Sequence, residues 1–395
     1  MIAFGPESVA PTPLRLWHAD TESAPPLQTH FMLKTVLLAT SLIAASAIPA
    51  SAKPQKHSQP AAPRSSTVQG STPYAQREDA MQFADDLAAR RGLDREWVRQ
   101  AVGQARYLGG VPKLMLPPTS GTAKNWRVYR SRFIDPIRIR AGVRFWQEHR
   151  EALARAEQEY GVPAEIIVGI IGVETIYGQQ MGNFRVMDAL ATLAFDFPAA
   201  HPRAKERTEF FRRELEQWLS LANRTNIDPF EVKGSYAGAM GLGQFMPSSW
   251  ARFAVDFDGD SRIDLFKSPT DAIGSVANYF KGHGWTTGMP THFAVQFDPA
   301  TLKLDELLAP DILPTFSAAS LQAKGAVLEA LAAQHTGPMA VIELQNGGDT
   351  PTYVVGTENF YAITRYNWSS YYAMAVIELA REVAAARNAA LAANR

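Results

Sequence analysis

Between Ala164 and Gly178 the chain reads AEIIVGIIGVETIYG, a stretch almost wholly apolar apart from Glu165 and Glu174. Such a run has to be covered by other elements, so it limits the chain to folds built around a buried segment. Read as a helix, it places Ile167, Ile170, Ile171 and Glu174 on one face. A carboxylate on a core-directed face loses hydration, which disfavours its charged form and raises its pKa. An acid still protonated near neutral pH can donate its proton to a leaving oxygen, as glycosidases require. The alternative is a Glu174 at the helix end that reaches solvent or pairs with an arginine.

A second segment, Gly234 to Trp250, reads GSYAGAMGLGQFMPSSW. Its glycines allow backbone to approach a ligand closely. Tyr236, Phe245 and Met246 offer apolar faces and Gln244 an amide, a combination suited to a sugar ring with its hydroxyl rim. Alternatively it is a glycine-softened turn before a helix that starts near Pro247. A nucleotide site is not supported: the glycines are not spaced as GxGxxG, and no GKS/T follows.

Composition removes several other classes. Lys+Arg and Asp+Glu are both 39, so no global field points to nucleic acid as a partner. The chain has no HExxH motif and no cysteine, which excludes zincin chemistry, thiol nucleophiles and disulfides. From Met32 a lysine-bearing start leads into an apolar stretch over Val36–Ile48 and an Ala50-Ser51-Ala52 site, the pattern of a secretory signal over 32–52. The apolar run is short for a membrane span, so no stable membrane anchor is expected. Residues 1–31 resemble no targeting element and read as a non-native extension. Residues 53–73, rich in Pro, Ser and Gln, read as a disordered spacer.

The folded part is expected over 74–385, with 386–395 as the end of the last helix. Helical periodicity appears over 74–107, and a loop over 108–122. Helices are expected over 137–159, 163–177, 187–195, 205–222 and 371–392, and 247–280 alternates helix and loop. Residues 291–345 read as an auxiliary lobe. Val341–Gln345 and Thr352–Thr364 have strand character, with Asn346-Gly347-Gly348-Asp349 as a hairpin turn. The class is mainly α with a small β element.

The loop Asp256-Phe257-Asp258-Gly259-Asp260-Ser261-Arg262-Ile263-Asp264 sets carboxylates at positions 1, 3, 5 and 9 of an EF-hand-like pattern, with Arg262 at position 7. Oxygen ligands at that spacing suit a structural Ca²⁺. Ser261 at position 6 and Lys267 at position 12 depart from the pattern. The alternative is a solvated acidic turn capping the helix that follows.

Taken together, VETIYG and GSYAGAMGLGQFMPSSW, with NWRVYRSRF from Asn125, DAIGSVANYFKGHGW from Asp271 and YNWS from Tyr366, closely resemble the B-type membrane-bound lytic murein transglycosylases, the family-3 lytic transglycosylases. The resemblance runs from about Tyr74 to Val383. It implies a lysozyme-like helical core over about 160–290 and peptidoglycan glycan strands as substrate, with proteins of wall synthesis as candidate partners. It implies cleavage of the β-1,4 bond between N-acetylmuramic acid and N-acetylglucosamine, with Glu174 as the single acid and 1,6-anhydromuramyl products. No cofactor is implied for the chemistry. The motif matches place Ser235 and Gln244 near the acid and the sugar. They place Tyr129, Tyr236, Phe245, Met246, Tyr279 and Tyr366 along the groove, and Asn367 on an N-acetyl or hydroxyl group. Arg207 matches a position for peptide-stem carboxylates, and Asp271 the last ligand of the calcium loop. The family often carries a lipobox cysteine. This chain has none, so a soluble periplasmic form is expected. The competing readings are a muramidase that uses water, for which Asp188 and Asp196 would be candidate second carboxylates, a non-catalytic peptidoglycan-binding protein, and a calcium-dependent structural adaptor.

Overall fold

The computed structural model describes residues 74–117 and 124–393. The expected extension, signal and spacer over 1–73 lie outside the described residues. A 3-10 turn, Tyr74–Gln76, leads into α1 (Glu78–Arg91) and α2 (Arg95–Gln104). Gly92 stops α1 in the left-handed region, and the Asp94 side chain caps α2 by accepting from Trp97 N. The short α3 (Val111–Leu114) interrupts the segment expected to be loop. After α4 (Trp126–Ser131), Asp135 caps α5 (Pro136–Glu148), which is followed by α6 (Arg150–Tyr160).

The single helix expected over 137–159 is therefore two. His149, at φ −114° and ψ 25°, divides it. Neither Gly nor Pro marks the break. It is tertiary in origin, because α5 packs on α16 (Ser370–Ala393) and α6 packs on α11 (Pro269–Gly282).

Helix α7 (Ala164–Thr175) is the central element, buried along its length except at Glu165 and Glu174. Its β-branched residues are indifferent helix formers, so burial holds it. Six Ile and Val side chains buried between Ile166 and Val173, at about 2 kcal/mol each, outweigh one desolvated carboxyl at its end. It ends two residues before the expected Tyr177, because Ile176 and Tyr177 turn into the left-handed region at φ 51° and 56°. It packs against α16, α5, α6 and α11, while α8 (Val186–Phe195) packs on α9 (Ala204–Thr225) and α9 on α10 (Pro247–Phe253). The two-residue strands β1 (Phe184–Arg185) and β2 (Lys233–Gly234) pair antiparallel.

The remaining strands, β3 (His292–Phe297), β4 (Ala326–Leu328), β5 (Ala340–Asn346) and β6 (Asp349–Gly356), form one antiparallel sheet in the order β4-β3-β6-β5. Short helices α12 (Leu304–Leu308), α13 (Ala318–Gln322) and α14 (Ala330–Ala333) accompany it. Strand alternation divides the side chains between two cores. Ala340, Ile342, Leu344 and Val354 join the main helical core, while Phe293, Ala326, Val341 and Val355 join a smaller one with Leu307, Leu321 and Met339.

The β5–β6 hairpin turns at Gly347-Gly348, with Asn346 paired to Asp349 and Gly347 at φ +70°. The strand expected over Thr352–Thr364 stops at Gly356. Thr357 then accepts a hydrogen bond from Asn359 N and starts α15 (Glu358–Thr364), an N-cap that overrides the β-branched run before it.

Candidate active site

Glu174 occupies the last turn of α7 and is half-buried. Tyr372 Oη donates a 2.5 Å hydrogen bond to its Oε1. Burial pushes the Glu174 carboxyl up to about 7, and the Tyr372 bond opposes that shift without cancelling it. Among the described residues no arginine acts on its charged form. The pairing alternative is thereby removed.

The partner Tyr372 comes from α16, which can lie against α7 because Gly169 has no side chain: a Cβ there would sit 2.6 Å from Val376 O. Its neighbour Tyr371 faces the sheet, where Gln345 N donates to the Tyr371 hydroxyl at 2.8 Å. Tyr366 lies nearly parallel to Tyr372, with ring centroids 6.5 Å apart, and donates to Gly243 O at 2.5 Å. Tyr129, Tyr279, Tyr366 and Tyr372 all have phenols raised first by burial, with the Glu174 charge adding to the shift. Tyr372 is not among the site residues expected from the sequence. The signal that could have found it is the second tyrosine of a pair at the start of the closing helix, just after YNWS.

The glycine-rich segment is fixed to the end of α7 by Thr175, whose hydroxyl donates to Leu242 O at 2.9 Å. Gln244 takes a left-handed φ of 50°, and its amide donates to Gly241 O at 2.9 Å and Met181 O at 3.2 Å. Ser235 Oγ accepts from Ala237 N and Ala239 N, so it shapes the turn it belongs to. Met246, Tyr236 and Asn367 are half-buried. The ring of Tyr236 stands 6.5 Å from the exposed Phe184.

Phe245 and Tyr279 correct the expectation that they line the groove. They are 2% and 6% exposed, pack against each other, and back Tyr366 from within the core. The Tyr279 hydroxyl donates to Arg365 O at 2.6 Å. Arg207 lies over Phe210 and Phe211, each 5.1 Å away, and has a buried Nε without a hydrogen-bond partner. Burial lowers its pKa, and Tyr236 lies close enough to offset part of that effect.

Neither expected alternative for a second carboxylate is available. Asp188 is buried, ion-paired with Arg185, and accepts from Arg106 N. Asp196 accepts from Tyr74 Oη at 2.7 Å and pairs with Arg77. Neither figures in the electrostatics of Glu174.

In the acidic loop, the carboxylate oxygens of Asp256, Asp258 and Asp260 converge within 4.8 Å of one another, and all three residues are exposed. That donor set fits a hard cation. Gly259 and Ser261 supply the left-handed turns that fold the loop back, at φ 80° and 72°. Arg262 N donates to Asp260 Oδ1. Asp271 stands apart from the convergent three. It is 1% exposed, and its two oxygens accept from Phe257 N, Asp258 N and Asp264 N, so it organises the loop from beneath.

Chemically, a carboxyl whose pKa burial raises to about 7, at the end of a buried helix and ringed by phenols, can release a proton near neutral pH to an oxygen placed against it. This is the equipment of a glycan-cleaving enzyme on a lysozyme-like helical fold. Comparison with known proteins agrees. The transglycosylase SLT domain model matches residues 75–381. Over 334 residues the chain is 43% identical to membrane-bound lytic murein transglycosylase B of Escherichia coli K12, covering 82% of this chain and 88% of that protein. The structure of Escherichia coli lytic transglycosylase Slt35 in complex with calcium matches at a TM-score of 0.69 and 43% identity, over 80% of this chain and 95% of that one. SltB3 from Pseudomonas aeruginosa, in complex with NAG-anhNAM-pentapeptide, matches at a TM-score of 0.62 and 30% identity, over 76% and 78%. The chain belongs to the transglycosylase SLT domain family and is a lytic murein transglycosylase, a glycosidic-bond lyase acting on peptidoglycan. Among the described residues no helix is long and apolar enough to cross a membrane.

Proposed function

We propose that this enzyme cleaves the β-1,4 bond between N-acetylmuramic acid and N-acetylglucosamine using Glu174 alone, first as acid and then as base. Glu174 gives its proton to the leaving glycosidic oxygen as the bond to the anomeric carbon breaks. The muramyl 6-hydroxyl attacks that carbon and returns its proton to Glu174. One C–O bond breaks and one forms, no water is consumed, and the product is a 1,6-anhydromuramyl end. Intramolecular attack removes the need to position a water.

The observation that carries this reading is the environment of Glu174: a carboxyl pushed up to about 7, with one phenolic donor and, among the described residues, no carboxylate acting on it. A water-using muramidase would call for a second carboxylate across the bond, and Asp188 and Asp196 are engaged elsewhere. The related SltB3 is known in complex with NAG-anhNAM-pentapeptide and with NAG-NAM-pentapeptide. In this reading Tyr129, Tyr236, Met246 and Tyr366 line the glycan path, Ser235 and Gln244 shape the loop that meets the sugar, and Asn367 contacts an N-acetyl or hydroxyl group. Arg207 meets stem-peptide carboxylates. Asp256, Asp258 and Asp260 hold a structural Ca²⁺ with the Arg262 carbonyl, above a floor set by Asp271. The enzyme works in the periplasm.

Mass spectrometry of products from purified sacculi tests the reaction. Muropeptides lighter by one water than hydrolytic products are expected. Reducing-end products would overturn the lone-acid mechanism in favour of a muramidase, and no cleavage by folded, calcium-supplied protein would favour a binding role.

A further inference from the structure

The segment just past Glu174 is built in a way the reaction scheme does not use. Ile176 and Tyr177 both sit at positive φ, and a β-branched residue seldom adopts that region. The turn carries Tyr177 back along its own helix, with Tyr177 N donating to Ile171 O at 3.3 Å. Its ring enters a slot between α5 and α7 and packs 5.2 Å from Phe145. Two glycines form the slot. A Cβ at Gly142 or at Gly172 would each lie 2.4 Å from the Tyr177 hydroxyl. The buried hydroxyl has no hydrogen-bond partner, so the ring's shape, rather than its polarity, explains the fit.

A second anchor meets the same point. Gly172 O accepts from Ile176 N at 3.2 Å and from Arg138 Nε at 3.0 Å. Arg138, 5% exposed, is itself held by Asp135 Oδ2 and Arg132 O. Glu174 lies between Gly172 and Tyr177 in sequence, so both anchors of its helix end are fixed against α5.

We infer that Tyr177, seated in the Gly142–Gly172 slot, is a positioning residue that sets where α7 stops and thereby holds the Glu174 carboxyl against the glycan. This rests on Glu174 being the acid. A shift of the helix end would move the carboxyl without removing it, and a misplacement of about 1 Å is worth up to about a hundredfold in rate. It would also admit water to the carboxyl and lower its pKa. The titratable groups facing Glu174 are Tyr129, Tyr279, Tyr366 and Tyr372, all protonated through neutral pH, so the alkaline limb of activity reports on Glu174 itself.

The test is a double-mutant cycle in the full-length enzyme. Tyr177→Leu should lower kcat about tenfold with KM nearly unchanged, and should move the alkaline limb down from its wild-type midpoint. Gly172→Ala should do the same alone, because its methyl displaces the ring, yet add less than about twofold in the Tyr177→Leu background. Tyr177→Phe should keep kcat within about threefold and should not lower the melting temperature. If Tyr177→Leu fails to fold, Gly142→Ala replaces it in the cycle: its penalty should shrink in the Tyr177→Phe background, where the closest clash is gone. An equal cost for the alanine in both backgrounds would overturn the proposal, as would a Tyr177→Leu that changes the melting temperature but leaves kcat and the pH limb untouched. Failure of the underlying reading looks different, because Glu174→Gln would then retain turnover.

Discussion

Two glutamates lie inside the helical core, and burial raises the pKa of both. They differ in what meets their oxygens. Glu214 on α9 is 3% exposed, and its two oxygens accept from Ser248 N at 2.9 Å and Ser248 Oγ at 2.7 Å, at the start of α10. It sits at a helix N-terminus, where it accepts from the Ser248 N–H, which would otherwise be orphaned, and from the Ser248 hydroxyl. Glu174 accepts one bond from a phenol and keeps part of its surface at solvent. Burial therefore does not by itself mark a catalytic acid. The distinguishing feature is burial without backbone donors, combined with access from outside.

The largest test of that contrast is the matched pair Glu174→Gln and Glu214→Gln. The first should reduce turnover by at least about a thousandfold while glycan binding persists. The second should leave kcat within a few-fold and lower stability by about 1–2 kcal/mol. If Glu214→Gln abolished turnover in folded protein, the distinction would collapse. Melting curves sharpen it further. Glu174 has a pKa raised on folding, so the folded state holds a proton the unfolded chain releases. Its contribution falls as pH rises from the ordinary carboxylate range through about 7. Glu174→Gln lacks this loss, so its melting temperature should gain on wild type across that window and stay level above it.

A smaller effect is expected at the acid's one partner. The Tyr372 bond favours the charged carboxylate, so Tyr372→Phe should move the alkaline limb of kcat upward by about one pH unit. It should also cost about tenfold in rate through lost orientation. A limb that stayed in place would show that the bond counts for little in solution. The smallest catalytic effect belongs to the acidic loop. Calcium at about a hundredfold over its Kd should stabilise the protein by about 2.7 kcal/mol, read as a rise in melting temperature that Asp256→Ala removes with kcat little changed. Absence of that rise in the wild-type enzyme would reduce the loop to a solvated turn.

What the sequence made legible was local. Glu174 stood out because one carboxylate interrupts a helical apolar face, and the GG turn between β5 and β6 followed from residues that accept positive φ. What it concealed was set across the chain. Nothing near Tyr372 announces that its hydroxyl meets a carboxyl 198 residues away. Phe245 and Tyr279 carry the same motif signal as Tyr366, yet they pack beneath it, because only packing decides which aromatic of a cluster faces outward. The break at His149 is equally silent, since the apolar period continues through it while the packing partners change.

The bond between Glu174 and Tyr372 also sets an order of assembly. A chain that emerges from its N-terminus presents the acid long before the helix that steadies it, and α7 has no cover along Gly169 until α16 docks. A wall-cutting centre wired this way is completed only by a segment 198 residues further along the chain than the acid. A protein still in transit, or clipped ahead of that helix, carries the acid but lacks the phenol that steadies it.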